Sequence, residues 1–213
     1  YQPDAGRCDA DGTVRALLDG ATAHGADVRF DEEAATVSLV HDDVMVRTGS
    51  DEEYRASVVV VAAGAWVTKL LVPLPPLKVT QEQVFHFPAA GSDTAWPSFI
   101  HHRSPYVYGL ETPGEGVKVA EHHTGPIVDP DTRTFDIDPA GAQRVRDYVT
   151  TWLPGLDPTP VSSTTCLYTT TPTEDFHVTR EGPVVIVSAC SGHGFKFTPL
   201  VGKMAAELVS GKG

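Results

Sequence analysis

The chain has 213 residues, 41% of them apolar and 21% charged, a balance that supports a buried core and argues against a disordered chain. Its 28 acidic and 16 basic side chains leave a formal charge of −12. Dispersed acids of this kind repel nucleic acid and anionic lipid, and read most simply as a solvated surface.

Size allows one domain or two small ones. Cys8, Cys166 and Cys190 stand in no C-x-x-C spacing, which weighs against a disulfide framework or a structural zinc and favours a reducing compartment. No apolar run approaches a membrane span and no signal-peptide pattern opens the chain, so a cytoplasmic protein is expected. A chain that begins at Tyr1 rather than Met is expected to have a processed or cut end.

Taken in chain order, residues 11–24 read as a helix, with Val14, Leu17, Leu18 and Ala21 at helical spacing and Gly25 as its stop. Short β-rich pieces follow: DVRF, ATVSLVHDD and VMVRT. RASVVVVAAGAW then presents four consecutive valines before Ala62, Ala63 and Gly64. Such a run suits a strand buried on both faces, and the glycine marks a tight exit beside another backbone or a ligand. LVPLPPLK is the best linker, because Pro73, Pro75 and Pro76 forbid regular structure.

From Lys78 to about Thr170 the texture changes to separated strands: VTQEQVFHF, PSFIHH, YVYGLE, GVKVAEHH and TTCLYTT. One helix interrupts them, capped by Asp138, with Pro139 at its first position and an apolar stripe of Val145, Tyr148, Val149 and Trp152. That order predicts an antiparallel sheet with a helix on one face. PVVIVSAC is a second buried strand, and Thr198-Pro199 opens a last helix that Gly211 ends. The pattern predicts an α/β (α+β) chain in three segments: 1–77 in a first layer, 78–170 as an inserted antiparallel sheet, and 171–213 returning to the first layer.

The closing motif SACSGHGFKF carries chemistry. Unsatisfied amides at a helix start bear partial positive charge and suit a negative or electron-rich group, small residues let it approach, and Lys196 adds a full charge. A plain strand-to-helix turn with an exposed lysine suits the same residues equally well. In GVKVAEHH, strand alternation sets Lys118, Ala120 and His122 on one face and Val117, Val119 and Glu121 on the other. The first face is no core face; its composition favours the solvated side of an open sheet over a site. The same alternation groups Tyr106, Tyr108 and Leu110, and Cys166, Tyr168 and Thr170. The pairs His101-His102 and His122-His123 are expected to point to opposite faces and so not to chelate one metal ion. No G-x-S-x-G supports a serine hydrolase, and nothing local makes Cys166 a nucleophile paired with His193.

From about Gly12 to the C-terminus the chain resembles the flavin-dependent amine oxidases grouped with monomeric sarcosine oxidase and N-methyltryptophan oxidase. VVVVAAGAWVTKLL resembles the family's flavin-domain strand and its turn, placing Gly64 and Trp66 beside the cofactor. TTCLYTTTPTEDFHV resembles the segment that bonds FAD covalently, and SGHGFKFTPLVGK the closing flavin-site motif. The resemblance implies a thioether from Cys166 to the flavin, and Lys118 as the lysine that assists reaction with O2. It also implies His122, Tyr108 and Tyr168 at the amine pocket, and Lys196 holding the substrate carboxylate. Gly192, His193, Gly194, Phe195 and Lys196 would face the electron-rich edge of the ring, so that Lys118, Cys166 and this turn serve one isoalloxazine. The implied chemistry is oxidation of the C–N bond of a small amino acid to an imine, with O2 reduced to peroxide. Phe85, Phe87, His101 and Tyr106 suit either a pocket wall or a core.

The family's G-x-G-x-x-G, its main grip on ADP, occurs nowhere in the chain. The expectation is therefore the second half of such an enzyme, whose partner is the N-terminal half of the FAD domain and which alone is inactive. A non-catalytic domain binding a small acid or a partner is the alternative.

Overall fold

The computed structural model describes residues 2–70, 74–89 and 96–211. Helix α1 (Ala10–Ala23) starts on Asp9, whose carboxylate accepts from the Gly12 amide. A meander follows, β1 (Ala34–Val40), β2 (Asp43–Thr48) and β3 (Glu53–Ala56), and then β4 (Val59–Val61), a single 3₁₀ turn (Gly64–Trp66) and α2 (Val67–Leu70). The next strands are β5 (Lys78–Phe87), β6 (Phe99–His101), β7 (Val107–Thr112) and β8 (Gly116–Glu121). Helix α3 (Pro139–Trp152), β9 (Ser162–Thr170), β10 (His177–Glu181), β11 (Val184–Ser188), a 3₁₀ turn (Phe195–Phe197) and α4 (Thr198–Ser210) complete the order. The mixed α/β fold read from the sequence is the fold observed. Of the linker, Pro73 lies outside the described residues; Pro75 and Pro76 lie in irregular chain.

The chain forms two compact units, Tyr1–Arg7 with Val79–Tyr168, and Cys8–Lys78 with Thr169–Gly213. The first is built on a five-stranded sheet of order β6-β7-β8-β5-β9. Val117 and Val119 of β8 and Phe85 and Phe87 of β5 point to one face, where Val145, Tyr148 and Val149 of α3 close over them. Phe85 and Phe87 are thus core residues. Asp138 accepts from the amides of Ala140 and Gly141 and so sets the start of α3. Trp152, expected in the apolar stripe, is 55% exposed and meets the His101 ring edge-on at 5.0 Å.

The second unit holds the meander β1-β2-β3 and a separate sheet β10-β11-β4. Strand β11 runs antiparallel to β10 and parallel to β4, with Val184 opposite Val59 and Ile186 opposite Val61. Val61, Val67, Val44, Val184 and Ile186 form its core. The four-valine run is shorter and less enclosed than its composition suggests: β4 is an edge strand, and Val60 is 43% exposed. Arg180 on β10 donates to the carbonyls of Leu208 and Val209, satisfying the last turn of α4, and Gly211 ends that helix at φ +66°.

Candidate active site

In the first unit, the β-sheet face opposite α3 carries the candidate residues. Antiparallel register sets Lys118 between His86 of β5 and Leu110 of β7, and Ala120 opposite Tyr108. Lys118 is half-buried, but Ala120 is fully buried. The expectation of an open, solvated face is therefore corrected at its centre.

The aromatic side chains there are interlocked. Tyr168, 7% exposed, shares a hydrogen bond of 3.3 Å between its hydroxyl and Nδ1 of His122, and a second with Tyr108. The His122 ring stands edge-on to Tyr108 at 6.2 Å and to Tyr168 at 5.4 Å. Burial raises the pKa of Tyr108, although the hydrogen bond from Tyr168 acts the other way. Burial raises Tyr168 further, with the neighbouring Tyr108, Cys166 and Glu82 adding to it. Both phenols are consequently neutral across the physiological range. Cys166, half-buried and in no disulfide, lies on β9 two residues before Tyr168.

The histidine pair behaves differently from the alternation rule. β8 ends at Glu121, and His123 has φ +58°, in the left-handed region. That turn puts the rings of His122 and His123 only 4.0 Å apart, both near Tyr168, rather than on opposite faces. The other pair does diverge: His101 bonds the Tyr148 hydroxyl at 3.0 Å, while His102 stacks edge-on with Tyr106. No group able to hold a metal ion occurs among the described residues.

In the second unit, β4 and β11 run parallel, and each leaves the sheet through a glycine turn at its carboxyl end. The first turn holds Gly64, at φ +52°, and Trp66, 42% exposed. In the second, Ser191 and Gly192 take φ +41° and +74°. Gly194 has ordinary backbone angles, but a Cβ there would lie 1.7 Å from the Ala189 carbonyl oxygen, so space alone demands glycine. The His193 ring is fixed: Nδ1 donates to the Ser191 carbonyl at 2.8 Å, and the ring stacks on Phe176 at 5.0 Å. Lys196 is exposed, donates to the His193 carbonyl at 2.7 Å and lies over the Phe197 ring. Phe195 is 42% exposed.

This turn is rich in donors. The amides of Gly192 and Gly194 donate to no atom among the described residues, and no side chain caps α4. The hydroxyls of Ser188 and Ser191 are buried, also without a partner among the described residues. Such a set of donors fits an electron-rich heteroaromatic edge, so the residues of this turn suit a flavin. Sequence reasoning missed Ser188, Ser191 and Phe176. It also missed Glu82, a fully buried carboxylate on β5 that accepts from Thr80 Oγ1 and from the amides of Thr124 and Gly125. The available signal was an acid in the middle of a long β-forming run.

Residues 1–208 match the FAD dependent oxidoreductase family. Monomeric sarcosine oxidase of Streptomyces avermitilis is 31% identical over 98% of the chain and 58% of its own length. N-methyl-L-tryptophan oxidase of Yersinia pestis is 27% identical over 100% of the chain and 59% of its own length. Among solved structures, NikD, an unusual amino acid oxidase essential for nikkomycin biosynthesis, superposes with a TM-score of 0.83 at 29% identity, covering 93% of the chain and 56% of that protein. The chain belongs to the FAD dependent oxidoreductase family, and its relatives are of the sarcosine and N-methyltryptophan oxidase type. It spans a little over half the length of the curated relatives it matches. No helix among the described residues is long and apolar enough to cross a membrane.

Proposed function

We propose that the chain is the substrate-facing portion of an FAD-dependent amine oxidase, acting on the C–N bond of a small N-methyl or cyclic amino acid. Residues 1–77 and 171–213 are assigned to the flavin-binding part and 78–170 to the substrate part. The observation that carries the reading is the interlocked Tyr108, Tyr168 and His122 on the Lys118 face of the sheet. A mixed aromatic and polar surface beside a half-buried ammonium is suited to a small zwitterion.

FAD, when bound, supplies a two-electron acceptor that regenerates with O2, giving an imine and H2O2; water then hydrolyses the imine. The neutral phenols and the imidazole orient the amine and exclude water from it. Lys118 presents a fixed positive charge to oxygen as it becomes anionic, the kind of preorganised electrostatic help that a partly dry site makes effective. Lys196 pairs with the substrate carboxylate. The Gly192 and Gly194 amides, with Gly64, Trp66, His193 and Phe195, would hold the flavin ring, and Cys166 is the residue assigned to its covalent attachment.

Peroxide release and oxygen uptake by the complete flavin-loaded protein, offered sarcosine, N-methyltryptophan and pipecolate in turn, test the activity. Turnover of one of these with equimolar peroxide is expected; no turnover with any secondary amino acid contradicts the reading. The 213-residue chain alone, lacking G-x-G-x-x-G, is expected to bind FAD poorly and to be inactive. A yellow preparation whose flavin survives acid precipitation would show otherwise.

A further inference from the structure

We propose that Glu82 is a positioning residue that fastens the corner carrying His122, and that it acts on the substrate through that imidazole. The inference rests on the reading of His122 as a substrate-side residue.

Glu82 is 1% exposed, in the middle of β5, which is buried on both faces. A carboxylate in such a place needs its oxygens satisfied. Oε1 accepts from Thr80 Oγ1 at 2.7 Å, and Oε2 accepts from the amides of Thr124 and Gly125, each at 3.0 Å. Those amides sit two and three residues beyond His122, just after the left-handed His123. The chain then runs on along β5: Gln81 N donates to the Pro126 carbonyl and Val128 N to that of Val79. Contact at the corner is close, since a Cβ on Gly125 would lie 2.0 Å from the Gln81 carbonyl oxygen and 3.0 Å from Glu82 Cδ.

The corner has one anchor on its incoming side, His122 N donating to the Tyr106 carbonyl at 2.9 Å, and Glu82 on its outgoing side. The two anchors restrain the backbone around His122, and the Tyr168 hydroxyl restricts rotation of its ring. Removing the carboxylate leaves two amides unpaired and lets the corner relax. A displacement of about 1 Å at an orienting group reduces turnover by roughly two orders of magnitude.

The test uses the complete flavin-loaded protein with Glu82→Ala, Glu82→Gln, His122→Ala and the Glu82→Ala/His122→Ala double variant. Histidine-selective NMR of the imidazole resonances supplies a readout separate from activity. Glu82→Ala is expected to shift the His122 resonances and lower kcat/KM by about 100-fold, and the double variant to be no worse than His122→Ala, as for groups acting in series. Glu82→Gln is expected to rescue, because its amide oxygen accepts both N–H groups and its NH₂ donates to Thr80 Oγ1. Multiplying losses in the double variant, an unmoved His122 resonance in Glu82→Ala, or a Gln variant as impaired as Ala overturns the proposal. If His122→Ala leaves kcat/KM unchanged, the substrate-side reading fails, while the NMR shift still decides whether Glu82 positions the ring. Should Glu82→Ala not fold, Thr80→Val removes one tether; a smaller shift of the same resonance is expected, and no shift contradicts the role.

Discussion

Tyr168 and His122, separated by 46 positions in the chain, share a hydrogen bond of 3.3 Å between phenol and Nδ1. Burial keeps Tyr168 and its neighbour Tyr108 un-ionised, so the two phenols beside His122 hold one protonation state across the physiological range. Tyr168→Phe removes the hydroxyl and leaves the ring. We expect KM for the amino acid to rise about 10-fold, the effect of one lost polar contact of about 1.4 kcal/mol, with kcat less affected. Steady-state kinetics check this. Tyr108→Phe should leave the pH profile below pH 9 unchanged; loss of an ionisation there would contradict a neutral phenol.

Cys166 is half-buried and free of disulfide. Cys166→Ser in the complete protein is expected to release its flavin on acid precipitation, whereas the parent retains it in the pellet. Flavin still bonded to the protein in the Ser variant would place the attachment elsewhere.

Gly194 tests the closing turn without touching charge. A methyl group there meets the Ala189 carbonyl oxygen at 1.7 Å and the Cys190 carbonyl oxygen at 3.1 Å, so the backbone must move. We expect Gly194→Ala to destabilise the protein by about 3 kcal/mol, near the upper end for overpacking, and to lower its flavin content. Thermal unfolding and the absorbance ratio measure the two effects.

His86 gives the stability a predictable acid limb. It is 7% exposed, and its pKa is lowered, chiefly by burial and also by Lys118, with Glu115 at 3.3 Å opposing. The unfolded chain takes up a proton near pH 6.5, before the folded state does. Between those two pKa values the unfolded state binds more protons, so stability rises with pH. The contribution is therefore fully present above about pH 6.5 and is lost as pH falls toward the folded value. His86→Gln should flatten denaturant midpoints between pH 7 and 5; an unchanged slope would assign that limb to other groups.

Local rules carried much of the fold. Asp138-Pro139 marked the start of α3, Gly211 the end of α4, and period-two alternation the pairing of Val117 with Val119 on the core face. Alternation failed where the chain stopped being a strand. His123 turns left-handed, and the two amides that follow it are held by Glu82 of β5, more than 40 positions earlier. No local pattern reveals that. Ala120, opposite Tyr108 in the hairpin register, is fully buried. Glu82 has three donors, two of them distant in sequence, so no local pattern sets it apart from other acids. In the second unit the family motifs located both glycine turns. The Ser188 and Ser191 hydroxyls, without a partner among the described residues, depend on burial, which composition does not encode.

The role of Lys118 decides the account most directly. Rapid mixing of the complete flavin-loaded Lys118→Met protein separates the anaerobic reaction with substrate from the subsequent reaction with O2. A fixed charge of this kind contributes roughly 100-fold or more to the step in which charge develops. We predict that the oxygen step slows by about that factor while the substrate step changes by less than about 10-fold. Equal slowing of both steps, or an oxygen step at the parent rate, would contradict the account.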